Sequence, residues 1–108
     1  MNRPVPHDDR AVEVARRLCR VLAATHRLRS DVHGGYGLAL VAVQSGLLVW
    51  CNGEWFWWRV GWDERRRYPM HTYCRADDLR QTAYRVAFLC ARLREGQSRR
   101  EQTAGDAS

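Results

Sequence analysis

The chain contains no lysine and no isoleucine. Its 18 basic residues are all arginine and stand against 12 acidic ones, for a net charge of +6. Lysine codons are A-rich and isoleucine codons A/T-rich, so the double absence points to high-GC coding as much as to selection. Arginine also serves as a plain solvated helix residue, and the basic balance alone does not establish a nucleic-acid surface. No apolar run approaches the roughly 20 residues needed to cross a bilayer. Residues 1–9 lack the apolar stretch of a signal peptide, so a cytoplasmic protein without membrane contact is expected. No Cys-x-x-Cys occurs. Cys19, Cys51, Cys74 and Cys90 are irregularly spaced and read as reduced, buried small hydrophobes. There is no internal repeat.

What is present is concentrated. All five tryptophans lie between Trp50 and Trp62, gathered around Asn52-Gly53. Asn-Gly accepts the positive φ of a tight type I′ turn, so a β-hairpin is predicted there. At 108 residues, 45% apolar and 28% charged, the chain reads as one globular domain.

Ala11, Val14, Ala15, Leu18, Val21 and Leu22 recur at helical spacing behind a cap at Asp8 or Asp9, predicting a helix over 9–29. Residues 30–37, with three glycines, read as a break. Leu38–Val43 is a strand, and Gln44-Ser45-Gly46 is a three-residue hairpin loop. The Trp hairpin follows, then a charged loop over 62–67. Tyr68–Cys74 reads as a short edge strand, since Pro69 cannot donate to a ladder. Asp77 or Asp78 caps a second helix over 77–95, which stops at Gly96. The expected fold is two-layer α+β. A meander of three antiparallel strands, four if the edge segment pairs, is flanked by an N-terminal and a C-terminal helix. A flexible arm over 1–7 and a disordered tail over 96–108 bracket a domain at 8–95.

Short loops fix the faces. The predicted pairs are Val43 with Leu47, Cys51 with Glu54 and Trp50 with Trp55. Face one then carries Ala39, Val41, Val43, Leu47, Val49, Cys51, Phe56, Trp58 and Val60. Face two carries Leu38, Leu40, Ala42, Leu48, Trp50, Trp55, Trp57 and Arg59. Both faces are apolar. The favoured arrangement puts both helices on face one, leaving Trp50, Trp55 and Trp57 for a partner, with a second copy the most economical. One helix on each face is the alternative.

No catalytic site assembles in the sequence. The serines lack a Gly-x-Ser-x-Gly elbow, and Gly34–Gly37 precedes a strand, unlike a phosphate loop. His71-x-x-Cys74 has a local zinc-like spacing, and Cys51, Cys90 or His33 are conceivable companions. Paired knuckles are absent, so no metal and no cofactor are expected. Arg65-Arg66-Arg67 reads as a solvated loop, or as phosphate contacts together with Arg59.

The segment Val49-Trp50-Cys51-Asn52-Gly53-Glu54-Trp55-Phe56-Trp57-Trp58, with the later helix ending Ala91-Arg92-Leu93-Arg94, resembles short uncharacterised proteins of high-GC actinobacteria. The likeness covers about the C-terminal two thirds. Its motif is structural and carries over no functional residue. Such proteins accompany helix-turn-helix regulators, so the resemblance implies a regulatory partner. The expected function is therefore a non-catalytic protein-interaction or regulatory accessory module. Its surface would comprise Leu48, Trp50, Trp55, Trp57 and Arg59. The alternative is a nucleic-acid-binding protein using Arg65, Arg66, Arg67 and exposed tryptophans.

Overall fold

The computed structural model describes the backbone of residues 6–107 and the side chains of residues 10–96. The arm read over 1–7 lies outside these as far as Val5. Helix α1 spans Pro6–His26, so Asp8 and Asp9 fall inside its first turn rather than before it. Ala11, Val14, Ala15, Leu18 and Leu22 form its buried stripe. The helix ends three residues earlier than expected. Arg27 turns left-handed at φ 55, and the Leu28 N–H donates to the Leu22 carbonyl at 3.0 Å. That bond spans seven residues and closes the helix end over the left-handed corner, with Leu28 buried beneath it.

Five strands follow: β1 Ser30–Gly35, β2 Leu38–Val43, β3 Leu47–Cys51, β4 Trp55–Asp63 and β5 Tyr68–Arg75. They form one antiparallel sheet in the order β1-β2-β3-β4-β5. The α+β meander with a helix before and after it is as the sequence implies, but it has five strands rather than three or four. The additional strand is β1, read from its glycines as a break. Gly34 is there for close approach: a methyl on it would collide with Cγ2 of Val12 in α1. Tyr36 and Gly37, at φ 55 and 77, close the β1–β2 hairpin with positive φ at both corners. The type I′ geometry expected at Asn52-Gly53 therefore occurs here.

At the Trp hairpin the register differs from expectation. Cys51 pairs with Phe56 and Trp50 with Trp57. Gly53, at φ 95, takes the first corner position and Glu54 the second, while Asn52 stands outside the corner. The Asn52 Oδ1 accepts from Glu54 N at 2.9 Å and Trp55 N at 2.8 Å. The slip is two residues, and side chains alternate with period two, so the residues of the hairpin up to Arg59 keep their predicted faces. Strand β4 also runs on through Trp62 and Asp63, which the charged-loop reading had excluded. Val60, assigned to face one, sits in a bulge between Arg59 and Gly61 and stays exposed.

Helix α2 spans Leu79–Ala107, passing through Gly96 where a stop was expected. Its backbone is helical over 96–107, where a disordered tail had been read. Asp78 caps it, its Oδ1 accepting from Gln81 N at 3.2 Å. Ala83, Val86 and Cys90 of α2 join the α1 stripe and face one of the sheet in a single core with Val41, Val49, Phe56 and Trp58. Helix α1 packs on β1, β2 and β3 and on α2, whereas α2 packs on β5 and the Gln44–Gly46 loop. Both helices thus cover face one. Among the described residues, no helix is long and apolar enough to cross a membrane.

Candidate functional site

Face two of the sheet is largely open, with Leu89 and Leu93 of α2 reaching only the recess lined by Leu48, Trp50, Arg59 and His71. Along β3 the burial alternates strictly: Leu47, Val49 and Cys51 are buried, whereas Leu48 is 47% and Trp50 37% exposed. Strand β4 continues the pattern, with Phe56 and Trp58 inside and Trp55 at 38% exposure outside. Trp57, half-buried, lies beside Trp50 on the open face. The structure therefore brings together Leu48, Trp50, Trp55, Trp57 and Arg59, all on one surface.

Strand β5 adds residues that the sequence reading left out. Tyr73 pairs with Trp57, and their rings stack with centroids 6.2 Å apart and planes at 29°. Arg75 pairs with Trp55 and holds its guanidinium carbon 5.4 Å from the centre of that ring. His71 pairs with Arg59, whose guanidinium lies 5.6 Å from the Trp62 ring. The signal for these three was the alternation of His71, Tyr73 and Arg75, legible once β5 is given a register. Asn52, Trp55, Trp57 and Tyr73 line an open recess of about 550 Å³ on this face.

Arg65, Arg66 and Arg67 are exposed, but they do not join this surface. They occupy the β4–β5 turn. There Asp63 Oδ1 accepts from the N–H groups of Arg65 and Arg66, each at 3.0 Å. Six strand residues from Trp57 to Asp63 put the turn on the order of 20 Å from the aromatic cluster. Arg59 lies between the two and belongs to the aromatic face.

The cysteines are all free, and Cys51, Cys74 and Cys90 are buried on the core side. Burial pushes the thiols of Cys19, Cys51 and Cys90 above their ordinary range, opposite to what activates a nucleophile. His71 and Cys74 lie three residues apart on a strand and point to opposite faces, His71 outward and Cys74 inward, so they do not converge on an ion. Among the described residues, no three His, Cys, Asp or Glu side chains gather in metal-binding range. No family model, curated protein or solved structure matches the chain.

Proposed function

We propose that this chain is a non-catalytic interaction module, a regulatory accessory that binds a protein through face two of its sheet. One observation carries the reading. The core formed by both helices lies on face one, and the opposite face presents Leu48, Trp50, Trp55, Trp57 and Tyr73 side by side and partly exposed, with Leu89 and Leu93 of α2 reaching only the recess beside Leu48 and Trp50. Clustered Trp and Tyr bury large area with few rotors to fix, which makes them the usual anchors of protein interfaces. A contiguous patch of this kind on a soluble protein marks a contact surface.

The rival reading takes the same rings as a stacking platform for bases, with Arg59 and Arg75 nearby to meet phosphates. The placement of Arg65–Arg67 favours the protein reading, because the densest positive charge stands at the far end of the β4–β5 ribbon. A photo-crosslinking amino acid at Trp57, with Tyr84 on the exposed side of α2 as control, separates the two in cells. Polypeptide adducts from position 57 and none from 84 are expected. Nucleic-acid adducts that weaken with salt and with Arg59→Ala would establish the rival. No adduct from either position would overturn both.

A further inference from the structure

We infer that the partner of face two is a second copy of this chain, related by a two-fold axis that runs along β3. The inference rests on the interaction reading above and adds the identity and geometry of the partner. It follows from how residues are distributed across the face. The register sets them in three rows. One row runs Asp31, Ala42, Leu48 and, beyond the point where β3 and β4 cease to pair at Val49 and Trp58, resumes with Arg59 and His71. The middle row is His33, Leu40, Trp50, Trp57, Tyr73. The third begins with Gly35 and Leu38 and ends with Trp55 and Arg75.

Each row is graded. The β1–β2 half is smaller, with Gly35, Ala42 and two leucines beside His33, and it carries the face's one acid, Asp31. The β4–β5 half is large and basic, with Trp55, Trp57, Tyr73, Arg59, Arg75 and His71. A two-fold along β3 lays β1 on the partner copy's β5 and β2 on its β4. Leu40 then faces Trp57 of the second copy, Leu38 faces Trp55, Ala42 faces Arg59 and Gly35 faces Arg75, while His33 faces Tyr73. Asp31 comes against His71 with Arg59 beside it, and Trp50 meets its own copy on the axis. Among the described residues, Asp31 and Arg59 form no ion pair within the chain, so both are available across such a seam.

The competing axis, across the strands, does the reverse. It stacks indole on indole at one end and leaves a gap at the other, and it sets His71 against Arg75. An isologous interface must be self-complementary, and of these two axes the one along β3 makes it so. The size is adequate. Five strands at about 4.8 Å and six residues at about 3.3 Å give a flat footprint of roughly 480 Å². Side-chain relief raises the accessible area toward the roughly 800 Å² per partner of a standard interface.

Sedimentation of the full chain at micromolar concentration should give a particle of twice 12.6 kDa. Asp31→Arg should weaken the dimer at least about tenfold, because it sets like charges together. The axis is read by a short bis-maleimide on two exposed-site variants in a Cys19→Ser background, because Cys19 is the native thiol that is not buried, each checked for native circular dichroism. His33→Cys mixed with Tyr73→Cys should give a crosslinked heterodimer, and His33→Cys alone should give none. Crosslinking of His33→Cys to itself would place the axis across the strands and overturn the geometry. A monomeric wild type overturns self-association. If position 57 still captures another polypeptide, the interaction reading survives that loss; if it captures none, both fall.

Discussion

Trp57 and Trp58 are adjacent in the chain and occupy opposite environments. Trp58 is 2% exposed beneath the helices, whereas Trp57 stacks on Tyr73 at the open face. Trp58→Ala should open a core cavity and lower unfolding stability by roughly 3–5 kcal/mol. Trp57→Ala should cost about 0.5–1.5 kcal/mol for the lost ring pair and act mainly on association. Thermal melts paired with sedimentation decide the matter, and the reverse ranking would mean that the faces are exchanged. Gly34 is the second informative residue. Gly34→Ala forces a methyl against the stiff, β-branched Val12, and about 1–3 kcal/mol should be lost. Val12→Ala in the same chain should return part of that loss. A double-mutant cycle with no coupling would show that α1 simply shifts away. The thiols set a pH limit. Burial raises Cys19, Cys51 and Cys90 from an ordinary value of 9.0, so the unfolded chain ionises first. Stability should hold below 9.0 and fall as pH rises past it through the raised folded values. Melts from neutral to alkaline pH would show the decline, and Cys51→Ala should flatten it.

At the scale of elements, two turns use one device. Asn52 and Asp63 each direct a side-chain oxygen at two backbone N–H groups of the following turn. Asn52→Ala should therefore cost about 1–2 kcal/mol, while Asn52→Asp keeps the acceptor and most of the stability. Denaturant midpoints of the two variants should differ clearly, and equal midpoints would mean that the Gly53 corner holds without help. The two helices were legible in the sequence because apolar periodicity states them directly, whereas the side of the sheet they cover was only favoured, because both faces are apolar and one helix on each would also shelter them. The Val43–Leu47 pair was legible because a three-residue loop leaves little choice. Strand β1 was not, because Gly34 and Gly35 carry no side chain to alternate, and glycine needed for close approach looks the same as glycine needed for a turn. The Asn52-Gly53 corner was misplaced by two residues for a related reason. Asn can sit at a corner or stand beside it and close it with its side chain, and only coordinates distinguish these. At the site, Trp50, Trp55 and Trp57 followed from parity alone. Tyr73, Arg75 and His71 required the register of β5, which no short turn announces.

At the scale of the whole molecule, charge works against the compact state. The net charge is +6, and the ion pairs among the described residues, Glu13–Arg17 and Arg75–Asp77, are exposed. Such pairs contribute little, and salt screens the general repulsion within about 8 Å at physiological strength. The melting temperature should rise modestly with added sodium chloride. A fall would mean that favourable charge pairs outweigh the excess positive charge.

The sheet order has a temporal consequence. Each strand's neighbour in space is also its neighbour in sequence, so four hairpins can close one after another as the polypeptide leaves the ribosome. Helix α2 emerges only after the whole sheet. Until it docks, the flank of the growing sheet that holds Phe56 and Trp58 has only α1 to shelter it, and the opposite flank has nothing. The nascent chain is most prone to aggregation in that interval, and a ribosome paused just after β5 should hold it in its stickiest form.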